Sequence, residues 1–144
     1  MNRNEIRGGL DTSVLIRLLT GQPEPLADLA FGFLADVEEA RAGVFVSNLV
    51  ISEVYYACQH HYAMSKADVL HGLFELLSRP TFIVQPALLT LLSGDNVAKA
   101  KPGFVDRLIH SEYAATGLTL VTFEKSATRL AGVRVLKPTK DDSE

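Results

Sequence analysis

Apolar residues along the chain fall into two alternating patterns: short continuous runs, and longer stretches in which they recur every three or four positions. Ile6 to Leu10 reads as a short strand that ends at Asp11. Val14, Leu15, Leu18 and Leu19 then have helical spacing over Thr12 to Thr20, and Gly21 stops that helix. Pro25 can open a second helix, in which Leu26, Leu29, Ala30, Phe33, Leu34 and Val37 form one apolar stripe while Asp36, Glu38 and Glu39 face away. Gly43 ends it, and Val44 to Val46 follows as a buried strand. Ser47 or Asn48 can cap the next helix, through about Tyr62. A further helix from Ser65 carries Val69, Leu70, Leu73, Phe74 and Leu77 on one side and stops before Pro80.

The remainder repeats the alternation. Thr81 to Val84 is strand-like, and Pro86 opens a helix with Leu88, Leu91 and Leu92 that fades at Gly94. Phe104 to Thr116 is helical up to Gly117. Leu118 to Thr122 is the clearest strand, a short helix spans about Glu124 to Leu130, and Val133 to Leu136 is the last strand before Pro138. Strand and helix in alternation, with about five strands, predict an α/β domain with a mainly parallel sheet covered on both faces. The continuous apolar character of Val44 to Val46 and Leu118 to Val121 predicts strands buried on both sides. No repeat or linker divides the chain, so residues 1–144 are expected to form one domain with an ordered core of about 6–138. Met1–Asn4 and Lys140–Glu144 are expected to fray, and Asp95, beside Gly94 and Asn96, to be a turn residue.

Composition narrows the function classes. The length is 144 residues, 47% of them hydrophobic and 22% charged, which suits a single packed core. A net charge of −3 argues against nucleic-acid binding by bulk electrostatics. A nucleic-acid substrate would therefore require something to screen the protein's own acids, and a divalent cation does so. One cysteine, Cys58, cannot form an internal disulfide; it is expected in the core. The polar N-terminal residues do not resemble a secretory signal, and every apolar run is shorter than the roughly 18 residues of a membrane helix. A cytoplasmic location without membrane association is the expectation.

In parallel α/β sheets, ligands bind beyond the carboxyl ends of the strands. Asp11 closes the first strand, Glu53 lies in the first turns of the helix after Val44–Val46, and Glu124 follows the strand Leu118–Thr122. The helix Phe104–Thr116 feeds a parallel strand and so starts at the same edge, which places Asp106 there. Four acids from four places are thus expected at one edge. Carboxylates so close raise each other's pKa, and Mg²⁺ or Mn²⁺ with oxygen ligands relieves the repulsion. Such an ion activates water and stabilises displacement at a phosphate. Helix starts at Thr12, Ser47/Asn48 and Gly103/Phe104 add partial positive charge at that edge.

The segments Gly9-Leu10-Asp11-Thr12-Ser13-Val14-Leu15-Ile16, Ser52-Glu53-Val54, Phe104-Val105-Asp106-Arg107-Leu108-Ile109 and Leu120-Val121-Thr122-Phe123-Glu124-Lys125 resemble, in order and spacing, the successive motifs of PIN-domain nucleases. Within these the chain is most similar to VapC-type toxins of toxin–antitoxin pairs, from about Ile6 to Leu136. The resemblance implies a three-layer α/β/α sandwich and Mg²⁺- or Mn²⁺-dependent endonucleolytic cleavage of RNA. It also implies a homodimer and a small antitoxin whose tail lies over the site. Asp11, Glu53, Asp106 and Glu124 would be the catalytic and metal-binding acids. Ser13 would orient ligands beside Asp11, and Thr122 before Glu124. Two positions depart from the family pattern: Glu124 stands where Asp is usual, and Ser126 where a further acid is frequent. Ser13 replaces a common Asn.

Each residue also has a plainer reading. Asp11 could merely cap the helix at Thr12, and Asp106 could be a helix-start acid favoured by the dipole. Glu53 is set among Val50, Ile51, Val54 and Tyr55, where a purely solvated acid is less expected. Glu112 reads as solvated, and His110 as a packed or surface histidine. His60 and His61 are adjacent and lack zinc-type spacing. Lys99, Lys101, Arg107, Lys125 and Arg129 lie near the acidic motifs and are candidates, as a group, for RNA phosphates. Tyr55, Tyr56, Tyr62 and Met64 form either a partner surface or ordinary packing. The competing functions are a PIN-like binding module without catalysis, a non-toxin RNA-processing nuclease, and a phosphatase with Asp11 as nucleophile. The last usually wants an Asp where Ser13 stands. A dinucleotide site fails for want of a glycine-rich first turn.

Overall fold

The computed structural model describes residues 5–94 and 96–138. The ends expected to fray, Met1–Asn4 and Lys140–Glu144, and the turn expected at Asp95 lie outside these residues. The chain divides into two compact units, Met1–Asp95 and Asn96–Glu144.

The first unit runs β1 (Ile6–Gly9), α1 (Thr12–Thr20), α2 (Glu24–Glu39), β2 (Gly43–Phe45), α3 (Asn48–His61), α4 (Lys66–Leu77), β3 (Phe82–Ile83) and α5 (Pro86–Ser93). The three strands pair in parallel in the order β1-β2-β3, with Val44 opposite Phe82 and Phe45 opposite Ile83. The register between β1 and β2 slips between Ile6 and Gly9, where Gly8 takes φ +141°, a conformation that side chains rarely allow. Parallel pairing of β1 and β2 makes α1 and α3 start at the same sheet edge. Asp11 and Ser47 cap those two helices, accepting from the Val14 and Val50 backbone N–H groups respectively. Ser65 caps α4 through the Asp68 N–H, and Gly21 closes α1 in the left-handed conformation. The core gathers Leu15, Val44, Val46, Ile51, Val54, Cys58, Leu73 and Leu88, all sealed from solvent.

The second unit contains a 3-10 turn (Val97–Lys99), α6 (Phe104–Ala115), β4 (Leu120–Thr122), a second 3-10 turn (Lys125–Arg129) and β5 (Val133–Val135). β4 and β5 pair in parallel, with Val121 opposite Arg134. Phe104 and Leu108 on α6, with Leu120 and Ala127, form its buried centre.

The predicted α/β class holds: six helices and five strands are present among the described residues, and all strand pairing is parallel. Three details differ from the sequence reading. The buried face of α2 is Ala27, Ala30, Leu34 and Val37, whereas Leu26, Leu29 and Phe33 are exposed. Ala30, Leu34 and Val37 are thus buried as expected, and the buried face is turned by only about half a residue step, roughly 50°, so that Ala27 enters it and Leu26, Leu29 and Phe33 fall outside. Glu38 does not simply face solvent: it pairs with Arg79 at 2.6 Å and accepts from the Thr81 hydroxyl. Strand burial is the third. Val44 and Val46 are buried but Phe45 is exposed, and Leu118 and Val121 are 58% and 56% exposed. Among the described residues β4 pairs with β5 alone, and its Val121 faces solvent.

Gly43 belongs to β2 instead of ending α2. A Cβ there would lie 2.8 Å from the Ile83 Cδ1, so glycine permits the close approach of β2 and β3. Cys58 is fully buried, as expected. No helix among the described residues is long and apolar enough to cross a membrane.

Candidate functional site

Asp11 leaves β1 as the N-cap of α1, with its carboxylate exposed at the carboxyl edge of the sheet. The Ser13 hydroxyl donates to Asp11 Oδ1 at 2.6 Å and the Val14 N–H to the same oxygen at 3.3 Å. These two bonds, the hydroxyl's foremost, hold the Asp11 carboxyl below its ordinary value against a small opposing effect of burial. The carboxylate is therefore ionised at neutral pH.

Glu53 lies in the second turn of α3 on an exposed face. The Thr12 hydroxyl donates to Glu53 Oε2 at 2.5 Å, so the first residue of α1 is tied to the second turn of α3. Asp11 and Glu53 line one open cleft of about 540 Å³ between these helices. Thr12, Ser13, Ile16 and Arg17 form its α1 wall, and Glu53, Ala57 and His61, spaced four apart, form its α3 wall. Tyr62, which accepts from Arg17 Nη1 at 3.4 Å, also lines the cleft. Neither carboxylate has an ion-pair partner among the described residues. Two exposed, uncompensated carboxylates in one cleft are a donor set of the hard oxygen type that suits Mg²⁺ or Mn²⁺.

In the second unit, Asp106 is exposed in the first turn of α6. Glu124 caps the Lys125–Arg129 turn. Its Oε1 accepts from the Ser126 hydroxyl at 2.7 Å and the Ser126 N–H at 3.1 Å, while the Glu124 N–H donates to the Thr122 hydroxyl at 3.0 Å. The Ser126 bonds, with a lesser contribution from the Lys101 charge, hold the Glu124 carboxyl below its ordinary value. Thr122 thus fixes the backbone of Glu124 and Ser126 its side chain. The orienting role of Ser126 was not read from the sequence, although a serine two residues after an acid is a recurrent turn-forming signal.

Among the described residues, no three His, Cys, Asp or Glu side chains form a group that could hold a metal ion. The basic candidates divide. Arg107 is engaged with the backbone carbonyls of Pro102 and Lys101, at 2.8 and 3.3 Å, and Arg129 with that of Lys101 at 3.4 Å. Lys99, Lys101 and Lys125 are exposed. His110 contacts the Ala131 carbonyl at 2.6 Å, a tie between α6 and the loop before β5. Glu112 is exposed. Tyr55 is buried and meets the exposed Tyr56 edge-on.

A second cavity, an apolar groove of about 550 Å³, lies on the other side of α1. Leu26, Leu29 and Phe33 of α2 line it, together with Asp11, Ser13, Val14 and Arg17. Arg17, half-buried, therefore borders both cavities. Sequence reasoning passed over it, because a single arginine in an amphipathic helix looks like a solvated residue.

No curated protein and no solved structure matches the chain. The family model described as the PIN domain matches residues 10–133. That span begins one residue before Asp11 and includes Glu53, Asp106 and Glu124. The chain belongs to the PIN domain family, a fold of metal-dependent nucleases.

Proposed function

We propose that this protein is a Mg²⁺- or Mn²⁺-dependent endoribonuclease and the toxin of a toxin–antitoxin pair, with Asp11, Glu53, Asp106 and Glu124 as its catalytic and metal-binding acids. The observation that carries this reading is the Asp11–Glu53 cleft: two carboxylates without a countercharge, linked through Thr12, in a chain of the PIN family. The family match extends over both units, which supports their working as one nuclease domain. When bound, the cation supplies charge stabilisation at the phosphate and a more acidic attacking water. Ser13 keeps Asp11 ionised, and Thr12 limits the rotamers of Glu53. Thr122 and Ser126 hold Glu124 in one orientation, so the longer glutamate has less freedom than its length implies. The α1–α2 groove, apolar and adjacent to Asp11, supports a protein partner of the antitoxin kind, whose apolar helix would cover Leu26, Leu29 and Phe33. A homodimer belongs to the same reading.

The test is incubation of purified protein, freed of any partner, with total cellular RNA and Mg²⁺ or Mn²⁺, followed by sequencing of new RNA ends. New ends at a few defined sites, lost with chelator and in Asp106→Asn, are the expected result. Folded protein that makes no specific ends with either metal would reject the nuclease.

One observation favours a second reading, a PIN-like binding module. Ser126 occupies the place of a frequent acid and donates to Glu124, which removes one metal ligand from that corner. Mn²⁺ titration separates the two, since a degenerate site would take up no stoichiometric ion.

A further inference from the structure

We propose that Arg17, supported by Tyr62 and His61, is a phosphate-binding subsite that holds a backbone phosphate of single-stranded RNA beside the phosphate at the acidic end of the cleft. The proposal rests on the nuclease reading above and adds to it a place for the substrate's neighbouring nucleotide.

The cleft is polarised along its length. Asp11 and Glu53 lie at the end marked by the Thr12–Glu53 bond, and Arg17, His61 and Tyr62 at the end marked by the Arg17–Tyr62 bond. Arg17 stands six positions after Asp11, and His61 eight positions after Glu53, about 9 and 12 Å of helix rise. A single phosphate cannot serve both ends at that spacing; two phosphates of one strand can. The acidic end suits a cation and the basic end suits an anion.

Arg17 also lacks a countercharge. Among the described residues its one side-chain hydrogen bond joins Nη1 to the Tyr62 hydroxyl at 3.4 Å, and its Nε is shut off from solvent without a partner there. No carboxylate pairs with it among the described residues. A half-buried guanidinium carries a desolvation cost that an anion offsets, and its planar fork of donors matches phosphate oxygens. The Tyr62 hydroxyl, which accepts from Arg17, keeps its own O–H available to the same phosphate. His61, exposed on the opposing wall, offers a ring N–H. The RNA-contacting lysines and arginines expected from the sequence all belong to the second unit, so this subsite gives the first unit its own hold on the strand.

The test uses full-length Asp106→Asn protein, to prevent cleavage, and a 5′-fluorescein single-stranded RNA dodecamer of mixed sequence. Anisotropy is read at several salt concentrations. Arg17→Gln is expected to weaken binding about tenfold and to lower the slope of log K against log salt by roughly 0.7. Arg17→Lys, which keeps the stem and charge, is expected to recover the slope but only part of the affinity, and Tyr62→Phe to cost about threefold. Unchanged affinity and slope in Arg17→Gln, with a lowered melting temperature matched by Tyr62→Phe, would reduce Arg17 to a strut between α1 and α3. That result would overturn the subsite and leave the nuclease intact. Absence of RNA binding by the Asp106→Asn parent, together with absence of cleavage by the natural chain, would overturn both.

Discussion

The Thr12 hydroxyl donates to the Glu53 carboxylate across 41 residues of sequence, at 2.5 Å, and joins the first turn of α1 to α3. The bond serves packing and chemistry together, because it sets which way Glu53 faces in the cleft it shares with Asp11. Thr12→Val keeps the shape and removes the donor. It is expected to reduce cleavage about tenfold and stability by about 1 kcal/mol, while Thr12→Ser restores most of both. Single-turnover rates and urea unfolding check this pair. Equal rates in Thr12→Val and the natural chain would mean that Glu53 needs no such alignment.

Removing the Ser13 hydroxyl should raise the Asp11 carboxyl toward its ordinary value, since that bond is the chief cause of its depression. A carboxyl lowered in the folded state adds stability above its unfolded value, and the gain is lost as pH falls through the folded value. Ser13→Ala therefore begins to lose ionised Asp11 at a higher pH, and the acid limb of the cleavage profile moves up. Ser126→Ala should act likewise on Glu124. Carboxyl-carbon NMR titration of both variants gives the direct reading.

Charge and capping can be separated at Asp11. Asparagine caps a helix about as well as aspartate, whereas alanine costs about 1 kcal/mol at such a position. Asp11→Asn is thus expected to abolish cleavage with its melting temperature nearly unchanged, and Asp11→Ala to lose both. Cleavage by Asp11→Asn at the natural rate would remove Asp11 from the catalytic set.

Burial pushes the Cys58 thiol up, and its side chain is sealed within α3's inner face. A group raised in the folded state contributes stability below its unfolded value, about 8.5 for a thiol, and that contribution fades as pH rises through the folded value. Native protein at neutral pH should resist alkylation by iodoacetamide and react fully once unfolded. Mass spectrometry of the two samples distinguishes this from a reactive thiol.

Gly43→Ala places a Cβ 2.8 Å from the Ile83 side chain and 3.3 Å from the Thr81 carbonyl oxygen. Overpacking of this kind costs about 1–3 kcal/mol. Ile83→Val in the same chain removes the Cδ1 and should recover part of the loss, measurable as a non-additive pair in thermal unfolding.

Much of the fold was legible because its signals are local. Asp11, Ser47 and Ser65 precede apolar stretches and prove to be caps, and Gly21 ends α1 as its position suggests. The alternation of elements was sufficient for the α/β class and for placing Asp11 at the start of α1 and Glu53 in the first turns of α3. The α2 stripe is legible at Ala30, Leu34 and Val37, but Leu26, Leu29 and Phe33 outweigh Ala27 in hydrophobicity and draw the expected face toward them. Which side of the stripe is covered depends on tertiary geometry. Arg17 and Ser126 escaped for a related reason. A lone arginine and a lone serine acquire meaning from Tyr62 and Glu124, the groups that the fold or the turn brings against them.

Asp11, Thr12, Ser13 and Arg17 lie on seven consecutive positions of one short, well-capped helix start. When α1 rocks, these four side chains move as one body, so thermal motion displaces the α1 wall without blurring the intervals along it. The opposing wall is tied to that body at two points, the Thr12–Glu53 bond and the Arg17–Tyr62 bond, and is anchored from behind by the sealed Ile51, Val54 and Cys58. The cleft therefore works as a ruler clamped at both of its ends. Its gauge can be reset at either clamp without rewriting the marks on the ruler.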